Sequence, residues 1–164
     1  KLHTALIKQL LALATGGGKH TTHHNFTACE FTFEKTKFPF ILLQSKTMSK
    51  HAVADTGGEV VDREVPIEEA FKKNYKLFCS GGYEIEVLQI FTTEVLTFLK
   101  EYGDRYSIEF AGNRLYIYDD KQITTKDGLS AIFNITKKLF DSIGPLLNRL
   151  HDDFDAMHQY YNKA

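Results

Sequence analysis

Two histidines and an aspartate near the end of the chain have the types and spacing of metal ligands. His151, Asp155 and His158, in the stretch HDDFDAMH, stand at i, i+4 and i+7, so on a helix they would line one face. Imidazole and carboxylate groups bind zinc and related cations. The same face borders an apolar seam, and charged residues commonly flank such a seam for solubility. The spacing predicts either a metal site, in a metal-binding protein or metal-dependent enzyme, or a hydrated helix flank.

The stretch TGGGKHTTHHNF, residues 15–26, resembles a phosphate-binding loop only at first sight. A P-loop needs a glycine, four residues and then Gly-Lys-Ser/Thr, placed between a strand and a helix. Here His20 follows Gly18 and Lys19, and Leu13 occupies the place of the first glycine. The predicted order of elements is also reversed. Nucleotide binding through this loop is therefore disfavoured.

Three histidines in the same stretch, His20, His23 and His24, could supply imidazole ligands. A metal site needs a rigid frame and neighbours that orient each ring. A glycine-rich connection provides neither. We interpret residues 16–25 as a Gly/His-rich linker.

The acidic residues and cysteines single out no catalytic group. Glu84 and Glu86 lie at a predicted helix start, where acidic residues are favoured by the helix dipole alone. Cys79 precedes a glycine turn and a helix N-terminus, which can lower a thiol pKa, but no histidine partner is identifiable. We predict no catalytic residue and no cofactor, and expect a protein that is not an enzyme. A thiol enzyme built on Cys79 is an alternative. The other carboxylates considered are Glu94, Asp119 and Asp120.

The composition is that of a folded domain. The chain has 164 residues, 43% of them hydrophobic and 25% charged, which suits one domain with a substantial core. A net charge of -1 without a basic run disfavours nucleic-acid binding. Two cysteines do not make a disulfide framework.

The first 15 residues, KLHTALIKQLLALAT, predict an amphipathic helix. Leu2, Leu6, Leu10 and Leu13 fall near helical spacing, and Gly16 marks the end. After the linker, we expect residues 26–164 to form a single domain.

The next part of the chain predicts strands, because apolar and polar residues alternate. Residues 26–35 and 38–46 are expected to pair as a hairpin, and residues 46–63 to form a loop. A further strand is predicted at 70–80. The clearest unit is a hairpin over 105–120, with its turn at Gly112-Asn113.

Helical spacing predicts one helix over residues 83–103 and a helical region over 125–161. Gly144-Pro145 interrupts the second region, so we expect a kinked helix or two consecutive helices. Its apolar residues are spaced like a coiled-coil seam, which suggests association. The fold class is therefore α+β, an antiparallel sheet with helices packed on one face and a long or kinked C-terminal helical region. The seam residues are Leu129, Ile132, Thr136, Leu139, Ile143, Leu146, Leu150, Phe154, Met157 and Tyr161.

Residues 65–118 resemble the soluble domain of a family of uncharacterised bacterial membrane-associated proteins. The matching segments are Ile67-Glu68, Phe71 to Phe78, Leu88 to Leu96 and Asn113 to Tyr118. The chain departs from the family pattern at Thr93, where a proline is usual, and at Glu69-Ala70, where Gly-Asp is usual.

The resemblance implies an α+β module tethered beside transmembrane helices that lie outside this chain, and it brings no catalytic residues. We therefore expect a non-enzymatic soluble module of a bacterial membrane-associated protein. It would act by binding a protein partner or by self-association. The sequence identifies no small-molecule ligand.

Overall fold

The computed structural model describes residues 2–14, 22–34, 36–48, 63–101, 104–119, 121, 123–141 and 144, and gives side-chain detail from Thr27 onward. Within these residues the chain forms seven strands and three helices. They are, in chain order, β1 Leu2–Ala14, β2 Thr22–Phe33, β3 Phe38–Ser45, β4 Arg63–Val65, β5 Tyr75–Cys79, α1 Glu84–Ile90, α2 Thr93–Glu101, β6 Ser107–Gly112, β7 Arg114–Asp119 and α3 126–141.

The strands form one antiparallel sheet in the order β1-β2-β7-β6-β3-β5-β4. The α+β class predicted from the sequence is confirmed. The order places the hairpin β6–β7 in the middle and leaves β1 and β4 at the two ends.

The predicted N-terminal helix is wrong, because β1 is a strand that pairs with β2 from Ala5↔Phe31 to Ala14↔Thr22. The leucine spacing fits a helix, but residues 10–14 are apolar at every position, so periodicity alone cannot separate a helix from a strand there. Pairing with β2 decides the structure. Because β2 begins at Thr22, residues 22–25 of the predicted linker also belong to the sheet.

The predicted hairpin between β2 and β3 is also wrong, since β3 lies between β5 and β6. Its residues Phe40 to Leu43 are all buried. A strand buried on both faces shows a continuous apolar run, which suits an interior position with neighbours on both sides.

The helix predicted over residues 83–103 is divided into α1 and α2 at Phe91-Thr92. The buried Phe91 leaves the helical conformation at ψ 62°. The hydroxyl of Thr92 then accepts a hydrogen bond from the backbone N–H of Val95 at 3.4 Å, as a residue capping a new helix does. The strand predicted at 70–80 is shorter than expected, because residues 69–74 form turns and β5 starts at Tyr75.

The hairpin β6–β7 is confirmed. Ala111 pairs with Arg114 across the turn, and Gly112 has a φ of +57°. A positive φ at this turn favours glycine, because a residue with a Cβ is strained there.

Two hydrophobic clusters hold the sheet together. The main core joins alternate strand residues to the buried side chains of all three described helices, including Val87 of α1, Leu96 of α2 and Ile135 of α3. A second cluster uses the intervening strand positions and consists of Ala28, Phe40, Leu42, Tyr116 and Tyr118.

Helix α3 starts where the sequence predicts, with Thr125 as its cap. The Thr125 hydroxyl accepts a hydrogen bond from the Gly128 N–H at 3.2 Å. Ile132 and Leu139, two residues of the predicted seam, are buried in the main core. This part of the seam is therefore used inside the domain. The seam from Ile143 onward, and residues 49–62 of the loop predicted over 46–63, lie outside the described residues. Arg63, the last residue of that predicted loop, begins β4.

Candidate interaction surface

The predicted metal ligands His151, Asp155 and His158 lie outside the described residues, as does His20, and the metal site stays a prediction. His23 and His24 pair with Leu13 and Ala12 in the β1–β2 ribbon. Within the part of the chain that the structure describes, His, Cys, Asp and Glu side chains form no group of three that could hold a metal ion.

Cys79 is a thiol whose pKa the glycine turn and helix N-terminus could lower, but its pKa is raised. Cys79 is a buried free thiol. Burial, with smaller contributions from Glu84 and Glu86, raises its pKa to about 11, although Arg63 acts in the opposite direction. A thiol with this pKa stays protonated at neutral pH and is a poor nucleophile. The thiol-enzyme alternative therefore has no support in this geometry.

Two of the candidate carboxylates are paired with arginines. The pKa of Glu84 is lowered by a hydrogen bond from its own backbone N–H and by Arg63, whose guanidinium lies 2.9 Å away. The buried Asp119 lies 2.7 Å from Nε of Arg105 and accepts a hydrogen bond from the Lys121 N–H at 3.1 Å. These contacts tie α1 to β4 and the end of β7 to the segment before β6.

A buried polar network, missed by sequence reasoning, joins β6 and β7. The hydroxyl of Tyr118 donates to Glu109 at 3.3 Å, and both residues are almost fully buried. Burial and the nearby Glu109 raise the pKa of Tyr118 well above its ordinary value. The tyrosine therefore stays protonated and serves as a donor. The sequence gives no signal for this pair, because alternation places Glu109 on the opposite face of β6 from Ile108 and Phe110 and leaves open whether that face is buried.

A neighbouring contact extends this polar row toward β2. Glu30, Tyr116 and Glu109 are in register across β2, β7 and β6. Arg114 lies 3.8 Å from Glu30 and donates to the Tyr116 hydroxyl at 3.3 Å. This arrangement is suited to fixing strand register, since a one-residue slip would separate every pair.

The edge of the sheet at β4 is short and charged. β4 has three residues, and its Arg63 and Glu64 are exposed. Arg63 pairs with Glu84, and Glu64 lies 3.4 Å from Lys76. Short strands and charged side chains are the usual means by which proteins discourage pairing at a sheet edge.

The edge at β1 has the opposite character. β1 has 13 residues, LHTALIKQLLALA, with Lys8 as its one Lys, Arg, Asp or Glu. β1 ends the strand order and has β2 as its sole partner among the described strands. A long apolar edge strand offers a row of backbone donors and acceptors to another chain.

The β1–β2 ribbon also extends past the rest of the described sheet. The last described pair between β2 and β7 is Thr27↔Asp119, whereas Leu10–Ala14 and Thr22–Phe26 continue to pair with each other. A two-stranded ribbon is marginally stable in water by itself. We call residues 10–14 and 22–26 the arm.

A smaller apolar surface lies on the helices. Ile85 is 72% exposed and Leu88 is 41% exposed, and they stand three residues apart in α1, so they are neighbours on its surface. Phe133 of α3 is 44% exposed. Isolated exposed apolar residues are common, so this surface is weaker than β1 as a candidate for binding.

No protein-family model, curated protein or solved structure matches this chain.

Proposed function

We propose that the chain is a non-enzymatic interaction module that associates with another polypeptide through the β1 edge of its sheet. The observation that carries the proposal is the long, apolar strand β1 at the end of the strand order. Extended segments add to such edges through backbone hydrogen bonds, and side-chain pockets then give specificity.

The described side chains agree with a binding role more than with catalysis. The buried thiols have pKa values of about 11, and the described polar clusters join strands and loops to each other. β4 is short and its exposed residues are charged, which disfavours pairing at that edge. β1 is long and nearly free of charge, so it is the favoured edge for association.

The bacterial, membrane-associated setting of the proposal rests on the resemblance of residues 65–118 to the family named above. No described helix has the length and apolar character needed to cross the bilayer. We propose that any membrane tether lies outside this chain, and that helices cover one face of the sheet and continue as a long or kinked C-terminal region. The shared core of α1, α2 and α3 supports this arrangement.

Photo-crosslinking in intact bacterial cells tests the proposed function. A photoreactive residue is introduced at Lys8 in the complete gene product, and a matched one at Lys73, which is exposed in the turn before β5. The proposal predicts a discrete crosslinked product from position 8, composed of this chain with itself or with one other protein, and none from position 73. Equal yields from the two positions, or no product from either, would contradict it.

A further inference from the structure

We infer that the occupant of the β1 edge is a second copy of this chain, paired with β1 antiparallel about a twofold axis at Gln9. This inference rests on the proposed function and names its partner. The register on the outer side of β1 follows from the pairing of β1 with β2 and from the residues of β1.

Symmetry limits the ways in which two copies of β1 can join edge to edge. A twofold axis perpendicular to the sheet makes the strands antiparallel and keeps each sheet face on the same side. It therefore gives a closed, self-complementary contact in which residue i opposes j and j opposes i. Opposed residues must then be on the same face of the sheet, so their numbers differ by an even amount.

The regular part of β1 defines the stretch available for this contact. The β1–β2 register is unbroken from Ala5 to Ala14 and shifts between Leu2 and Ala5. A nine-residue contact centred on Gln9 uses Ala5 to Leu13, entirely within the regular stretch. At about 3.4 Å per residue, the paired segment would be about 30 Å long.

The charge of Lys8 limits which residue of β1 can lie at the twofold axis. A contact centred on Lys8 would place two lysines directly opposite each other, which is unfavourable. Centred on Gln9, the contact sets Lys8 opposite Leu10 and Ile7 opposite Leu11. The two copies of residue Gln9 then occupy opposed register positions, and a glutamine amide can both donate and accept a hydrogen bond. A contact centred on Leu10 sets Gln9 opposite Leu11, so the two glutamines no longer oppose each other.

The opposite edge is a poor alternative partner for β1. Pairing of β1 with β4 of another copy would match 13 residues to three. It would also join unlike surfaces, and such a head-to-tail contact forms open filaments unless the rotation closes a ring. The exposed Arg63 and Glu64 of β4 would then face an apolar strand.

Site-directed disulfide formation tests the register in the purified full chain. Directly opposed Cα atoms in antiparallel strands lie about 4.5–5.5 Å apart, within the range that a disulfide spans. Gln9→Cys should therefore crosslink to its own copy under mild oxidation. Lys8→Cys is the matched control, because in this register its own copy lies about 8 Å away. Cys29 and Cys79 are buried and should not interfere.

A mixed experiment provides a second control. Lys8→Cys and Leu10→Cys should crosslink to each other when combined, although each alone should stay uncrosslinked. Light scattering of the unmodified chain gives the molar mass without any substitution, so a misfolded variant cannot hide the result.

Crosslinking by Gln9→Cys alone, with crosslinking of the mixed pair, supports the inference. Crosslinking by Lys8→Cys in place of Gln9→Cys overturns the register, and a monomeric unmodified chain with no crosslink overturns the second copy. In that last case, a discrete product with another protein from position 8 in cells would leave the proposed function standing. Absence of that product would overturn both the second-copy inference and the proposed function.

Discussion

The two edges of the sheet differ in length and charge. β4 has three residues, two of them exposed and charged, and it pairs with β5, whose Leu77 and Cys79 are fully buried in the main core. β1 has 13 residues, and its arm continues beyond the last described β2–β7 pair. One edge is protected against another chain, and the other has the features of a pairing surface.

On the proposed function, folding and association belong to different parts of the same sheet. The β5 end contributes to the core that holds the domain together, whereas the arm continues beyond the last described β2–β7 pair. Substitutions at the two ends should therefore change different quantities: the free energy of unfolding at β5, and the affinity between chains at β1.

The largest expected effect is on stability at the β5 end. Leu77→Ala removes a fully buried side chain from the main core and should lower the free energy of unfolding by about 2–5 kcal/mol. Leu13→Ala, in the arm, should lower it by less than about 1 kcal/mol in the dilute monomer, because a ribbon of two strands contributes little by itself. Urea unfolding of both variants at low concentration measures the difference. Equal losses would show that the arm is part of the folding core.

A smaller difference in stability is expected between substitutions of two buried tyrosines, one in β7 and the other in β5. Tyr118→Phe removes the hydrogen bond to buried Glu109 and should cost about 1–3 kcal/mol of stability. Tyr75→Phe, at the start of β5, removes a buried hydroxyl that has no hydrogen-bond partner in the described part of the chain. It should leave stability unchanged or raise it by up to about 1 kcal/mol. Thermal unfolding of the two variants is the measurement, and destabilisation by Tyr75→Phe alone would reverse the expected order.

The smallest expected effect is on the pH dependence of stability, and it arises from the two thiols, Cys29 in β2 and Cys79 in β5. Burial is the main cause that raises the pKa of both Cys29 and Cys79 from 9.0 to about 11. The folded state therefore favours the protonated thiol. The resulting stabilisation is complete below pH 9 and is lost as the pH rises from about 9 to 11.

Unfolding measurements across this pH range should show a shallower decline in Cys29→Ala and in Cys79→Ala than in the unmodified chain. At neutral pH, both thiols should react with an alkylating reagent only at the rate at which the protein opens. Rapid alkylation of Cys79 in the folded protein would restore the thiol-enzyme alternative.

The sequence predicted those elements whose pattern was local and unambiguous. The β6–β7 hairpin was recoverable because alternation and the Gly112-Asn113 turn agree, and the α3 start because Thr125 caps it. The N-terminal strand was missed because its leucines fit helical and extended spacing alike. Which strand pairs with β3 depends on contacts between distant parts of the chain, and local patterns do not encode it.

The candidate surface was harder to predict than the fold. The sequence suggested association through the C-terminal seam, but the seam residues Ile132 and Leu139 are buried in the main core. An edge strand becomes visible only when the order of all the strands is known. Once β1 is placed at the end of that order, its low charge, already present in the sequence, makes it the candidate pairing surface.

The molar mass of the chain in solution tests the central claim most directly. Light scattering should give twice the 18.7 kDa of one chain for the unmodified protein. Gln9→Lys should weaken the pairing by about tenfold or more, because it places like charges opposite each other. A mixture of Gln9→Lys with Gln9→Glu should restore the doubled mass, and Glu64→Lys at the β4 edge should leave it unchanged. An unmodified chain that stays at 18.7 kDa at high concentration, or a Gln9→Lys variant with undiminished pairing, would contradict the account.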